Sequence, residues 1–159
     1  MASGPQPDVH ITAEGLAQVR RELDELRTVR RPYIADKIRA ARELGDLSEN
    51  FEYHAAKNEQ GFIEARIAEL ETIERNAKII EPPAATDVVS LGSTVRFVED
   101  GQAEETYRIV GPAEADPKAG KVSDASAVGR ALLQHRVGDE VSIETESGFS
   151  YTVRITGIQ

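Results

Sequence analysis

From Thr12 to Leu44 the chain has no glycine after Gly15, and Leu16, Val19, Leu23 and Leu26 recur at spacings of three, four and three. That period puts them on one side of a long helix facing a helical partner. After Leu26 the register falters. Arg30 and Lys37 take the next two seam positions, while Ile34, Ile38 and Ala41 carry the apolar face onward at a shifted phase. The supercoil should straighten there, and Pro32, which lacks a backbone donor, predicts a kink or looser turn near Thr28 to Pro32. A second helical run extends from about Asn50 to Lys78, with Ala56, Gln60, Ile63, Ile67, Leu70 and Ala77 on one face and Ile73 beside it. The connection Gly45 to Glu49 is short, so the two helices fold back as an antiparallel hairpin, each roughly 45 Å long at about 1.5 Å per residue. Its seam is rich in alanine and interrupted by polar residues, which predicts modest stability.

Pro82 and Pro83 then break the helical period. Thr94 to Glu99 and Glu105 to Val110 are strand-like runs flanking a turn at Asp100-Gly101, and Glu140 to Thr145 and Tyr151 to Ile155 flank another at Ser147-Gly148. Val128 to Gln134 has helical character between them. The fold class is α+β: an N-terminal antiparallel two-helix coiled-coil hairpin, then a small β-sheet domain with one short helix. The expected boundaries are a tail at residues 1–11, the coiled coil at 12–80 with an acidic tip at 45–50, a linker at 81–91 and the C-terminal domain at 92–159.

Composition removes several classes of function. Cysteine is absent from the 159 residues, which excludes disulfide frameworks, thiolate zinc sites and cysteine nucleophiles. Twenty-eight acidic side chains against 19 basic ones give a net charge of −9, which opposes autonomous grip on duplex DNA. No membrane span is present, and the first ten residues do not read as a secretion signal, so a cytoplasmic protein is expected. His10, His54 and His135 are scattered and form no ligand pair.

Chemistry concentrates at the hairpin turn, Gly45-Asp46-Leu47-Ser48-Glu49-Asn50. On a helical turn, Asp46 and Glu49 would lie on one face about 5–6 Å apart, close enough to share a divalent cation. The same Asp-x-x-Glu spacing is also a capping box, and both readings stand at this point. Two carboxylates leave a Mg²⁺ site incomplete, because Mg²⁺ prefers six oxygens and borrows waters and substrate phosphates. Such a tip makes physical sense if it completes a two-metal centre inside another enzyme.

These residues resemble the bacterial transcript cleavage factors of the GreA type. The resemblance rests on Arg30-Arg31-Pro32, the turn from Gly45 to Asn50, Glu52-Tyr53-His54-Ala55-Ala56-Lys57 and Gln60-Gly61-Phe62 in the hairpin. It continues in Thr106-Tyr107-Arg108-Ile109-Val110-Gly111, Glu114-Ala115-Asp116, Arg130-Ala131-Leu132-Leu133 and Val137-Gly138-Asp139-Glu140, and runs from about Ile11 to Ile158. It implies a factor that binds RNA polymerase, inserts its coiled coil through the secondary channel and stimulates cleavage of the 3′ end of backtracked RNA. In that role Asp46 and Glu49 are the catalytic pair and help hold a Mg²⁺ shared with the polymerase and not stably bound by the free protein. Arg39, Arg42 and Lys57 are the candidates for holding extruded RNA. The factor would have no nuclease activity alone.

The family's C-terminal domain is similar in fold to FKBP-type prolyl isomerases, although isomerase activity is not thereby implied. Where members commonly carry Asn or Asp and then Ser-Pro before the C-terminal helix, this chain has Ala125-Ser126-Ala127. That segment helps dock the domain on the polymerase rim, so weaker or rearranged docking is expected. The competing readings are a non-cleaving occupant of the channel that inhibits or modulates the polymerase, and a coiled-coil adaptor that never meets it. The intact Asp46 and Glu49 pair favours cleavage.

Overall fold

A computed structural model describes residues 4–45, 49–81, 83–84 and 87–159. The chain divides into two compact units, Leu16–Asn76 and a second formed by Met1–Gly15 with Ala77–Gln159.

In the helical unit, α1 (Ala13–Glu25) passes through a π-helical turn (Leu26–Arg30) into α2 (Arg31–Glu43), and α3 (Phe51–Asn76) returns antiparallel to them. The looser turn expected beside Pro32 is therefore a π turn, in which Arg31 N–H donates to Leu26 O, five residues back. Between Leu23 and Ile34 no side chain is fully buried. Where the apolar seam lapses, Arg27, Arg30 and Arg31 reach across to Glu71, Glu59 and Glu64. The Arg31 guanidinium holds the Glu64 carboxyl below its ordinary value by hydrogen bonding. The seam proper packs Leu23, Ile34, Ile38 and Ala41 on one arm and Ala56, Ile63, Ile67 and Leu70 on the other. With 26 residues, α3 is about 39 Å long.

The second helix is shorter at its end than its period suggests. Ala77 and Lys78 leave the helix for strand β2 (Ala77–Ile79), which pairs in parallel with β1 (Val9–Ile11), Ile80 N–H continuing the ladder to Ile11 O at 2.8 Å. Residues 9–11, taken from sequence as tail, are thus a strand whose backbone donors and acceptors answer those of 77–80. Thr12 then caps α1, its hydroxyl accepting from Gly15 N–H at 3.0 Å. Thr12 is in turn held by Glu114, a buried carboxylate that accepts from both its backbone N–H and its hydroxyl, with Lys121 Nζ 3.5 Å away.

The C-terminal sheet has the order β5-β4-β3-β7-β6, built from β3 (Thr94–Glu99), β4 (Glu105–Val110), β5 (Lys121–Ser123), β6 (Glu140–Glu144) and β7 (Ser150–Ile158). Only β4 and β5 pair in parallel. Helix α4 (Ala127–Leu132) contributes Leu132 to a core of Val95, Phe97, Ile109, Ile143, Val153 and Ile155. It stops two residues early because Gln134 adopts a left-handed φ of 69° and donates to Val89 O, while Val89 N–H donates to His135 O. Val89 is fully buried in the same core, so the end of the expected linker belongs to this domain. The α+β architecture read from the sequence is the observed one, with β5 and the β1–β2 pair added.

Candidate functional site

Two residues fix the turn between the arms. Leu44 ends α2 with φ −80° and ψ −8°, and Gly45 follows at φ +126°, a conformation that L side chains rarely adopt. On the far side, Asn50 Oδ1 accepts from Tyr53 N–H at 3.0 Å and its carbonyl accepts from His54 N–H at 3.1 Å, which makes Asn50 the N-cap of α3. Its Nδ2 donates to Ala41 O in the last turn of α2 at 2.6 Å. One amide therefore serves the start of one helix and the end of the other.

This arrangement decides the capping question for Glu49. Helix α3 begins at Phe51, so Glu49 precedes it in a bend and does not stand at the third helical position that a capping box requires. Glu49 is exposed, and among the described residues its carboxylate makes no hydrogen bond or ion pair. Asp46, with Leu47 and Ser48, lies outside the described residues. Beside Glu49 stand two large apolar side chains that solvent reaches freely, Leu44 and Phe51, the latter 87% exposed. An apolar surface flanking a free carboxylate suits contact with another macromolecule.

Hard oxygen donors fit Mg²⁺, and Glu49 supplies one carboxylate that has no partner among the described residues. The Asn50 amide does not add to the set, since both its ends are engaged. No group of three or more His, Cys, Asp or Glu side chains that could hold a metal gathers among the described residues.

The three basic candidates are differently placed. Arg42, in the last turn of α2, holds its guanidinium 5.8 Å from the centre of the Tyr53 ring. Arg39 forms an exposed ion pair with Asp36 at 3.2 Å. Lys57 donates to Gln60 Oε1 at 3.0 Å. Arg42 is the one tied directly to the first turn of α3, and thus to the turn that carries Glu49.

Ala125, Ser126 and Ala127 lie at the start of α4. Ser126 is its N-cap, the hydroxyl accepting from Gly129 N–H at 3.0 Å and donating to Ser123 O at 2.6 Å. Ala127 follows as the first helical residue. Because that position needs no intrahelical donor, Pro and Ala serve there alike, and the cap forms without the usual proline.

Residues 9–79 match the family model described as transcription elongation factor, N-terminal, and residues 84–159 the one described as transcription elongation factor, GreA/GreB, C-term. The chain belongs to the GreA/GreB family of transcription elongation factors. The GreA protein of Staphylococcus aureus (strain JH9) is 48% identical over 155 residues, covering 97% of this chain and 98% of its own. That of Macrococcus caseolyticus is 47% identical over 154 residues, with 96% and 98% covered. The crystal structure of the GreA factor homolog 1 protein of Thermus thermophilus is 34% identical over 96% of this chain and 99% of that one, with a TM-score of 0.45. This chain is a transcription elongation factor of the GreA type. No helix among the described residues is long and apolar enough to cross a membrane.

Asn50 and Tyr53 were not assigned roles from the sequence. The signal was available, since Asn is among the preferred N-cap residues and stands where the second helical period begins. What the sequence could not show is that the other end of the same amide reaches back to Ala41.

Proposed function

We propose that this GreA-type factor binds RNA polymerase and presents Glu49, with Asp46, to the enzyme's active site through the secondary channel, stimulating hydrolytic cleavage of the 3′ end of backtracked RNA. The observation that carries the reading is the state of Glu49: Asn50 performs the helix capping, and the carboxylate beside it stands exposed at the turn. The factor acts as an accessory to the polymerase's nuclease activity, in the cytoplasm, and grips no DNA by itself.

Asp46 and Glu49 would hold a Mg²⁺ shared with the polymerase, which when bound supplies charge neutralisation at the phosphodiester and a water of lowered pKa. Glu49 accepts hydrogen bonds and so orients a water molecule toward the scissile phosphate. Arg42 offers N–H donors to RNA phosphate from a guanidinium held beside Tyr53. Arg39 and Lys57 join it by exchanging exposed, weak partners for phosphate oxygens. Ala125, Ser126 and Ala127 form the docking segment against the polymerase rim.

The test is a stalled, backtracked elongation complex supplied with Mg²⁺. The native protein shortens the RNA from its 3′ end, the factor without polymerase does not, and Glu49→Gln and Asp46→Asn each lose about a hundredfold or more in rate, as loss of a group stabilising transition-state charge does. Native protein that leaves the RNA full length sinks the reading. If it then slows nucleotide addition, a non-cleaving channel occupant takes its place.

A further inference from the structure

We infer that Asn50 is a positioning residue for this reaction, acting through Glu49. The inference rests on the cleavage reading above and names what holds its acid in place. Glu49 has no side-chain tie of its own among the described residues, so its placement depends on the backbone that carries it. That backbone is pinned one residue later. Asn50 accepts from Tyr53 N–H and donates to Ala41 O, and Ala41 O also takes Leu44 N–H at 3.2 Å. The end of α2 and the start of α3 are thus locked through a single side chain. Arg42 over the Tyr53 ring makes a second link across the same turn.

The residue type is dictated by the partners. A backbone N–H can only donate and a carbonyl can only accept, so the bridging group must offer an acceptor at one end and a donor at the other. A carboxamide does this. Aspartate matches Asn as a cap but turns an acceptor toward the Ala41 carbonyl, and serine caps but is too short to reach across. Catalytic groups misplaced by about 1 Å can lose about a hundredfold in rate, so a turn that is capped but unlocked should remain folded and work poorly.

The experiment compares native protein, Asn50→Asp and Glu49→Gln in the backtracked-complex assay over a range of factor concentrations. Circular dichroism and side-chain amide NMR are recorded on the free full-length proteins. Asn50→Asp keeps the helical signal and a half-saturating concentration within about twofold of native, while its saturating cleavage rate falls at least about tenfold. In the native protein the Asn50 side-chain amide protons exchange slowly with solvent, independently of any activity. Three results overturn the inference. Asn50→Asp at the native saturating rate, with Glu49→Gln impaired, removes it and leaves the cleavage reading standing. Glu49→Gln at the native rate removes both. Asn50→Asp with collapsed helical signal and weakened saturation makes the amide a purely architectural tie.

Discussion

Ile67 is 2% exposed and sits midway along the short apolar seam of the hairpin. Replacing it with alanine removes three buried carbon atoms at about 0.8 kcal/mol each, and the space left in a thin two-helix seam brings the loss to about 3 kcal/mol. One residue before it, Arg66 bridges Glu22 and Glu69, and the hydrogen bond to the Glu22 carboxylate raises the guanidinium pKa above its ordinary value. That pair is partly exposed, the two side chains retaining 44% and 34% of their accessible surface, and solvent screening keeps the cost of Arg66→Ala to about 1 kcal/mol. For a cooperative unit of this size each kcal/mol is about 4–8 °C in melting temperature. The helical signal of Ile67→Ala is therefore expected to melt about 12–24 °C below native, and that of Arg66→Ala a few degrees below. Urea titrations in low and high salt separate the two causes, because salt screens the Arg66 contribution and leaves that of Ile67 intact. An Arg66→Ala loss that equals or exceeds the Ile67→Ala loss at both salt concentrations would refute the view that the seam, not the ion pairs, holds the arms together.

Two further outcomes follow from the C-terminal domain. Ser126 already has the extended backbone (φ −71°, ψ 161°) that a following proline demands, and Ala127 is the first helical residue, so Ala127→Pro should leave stability unchanged or raise it by up to about 1 kcal/mol; a lower melting temperature would contradict the assigned cap. The Asp139 carboxylate accepts from Arg136 N–H at 2.8 Å, and this hydrogen bond, with His135 beside it, holds its pKa below the ordinary 3.8. The folded value being the depressed one, its contribution to the Arg136–Asp139 turn is whole above pH 3.8 and lost as pH falls through the lower folded value; a carboxyl titration by NMR with a midpoint at or above 3.8 would remove the effect.

Much of this fold is written in periodicity. Leu16, Val19 and Leu23 mark the first arm, Ile63, Ile67 and Leu70 the second, and the phase slip after Leu26 with Pro32 beyond it marks the π turn. The pairing of Val9–Ile11 with Ala77–Ile79 was not legible, because a three-residue strand has too little pattern to oppose a helical period running on through Ala77. Strand β5 was missed for the same reason. At the turn, the residue types were legible and their division of labour was not. Asp46 and Glu49 read both as cap and as chemistry; the first turn of α3 places a cap on Asn50, which bears on Glu49 alone. Glu114 stood within a motif of the resemblance, but its role was not legible, since its partner Thr12 is 102 residues away.

The π turn also sets which side of α2 faces α3. Each α-helical residue advances the azimuth by about 100°, whereas a π turn spreads a little over four residues across one revolution. Deleting a single residue between Leu26 and Arg30 would rotate α2 under its own tip and swing the Ala41 carbonyl away from Asn50. Removing matched seven-residue blocks from both arms would instead shorten the arms and leave their facing nearly untouched. In this protein, the length of the arms is adjustable in coarse steps, while the facing of one arm to the other hangs on one irregular revolution of helix.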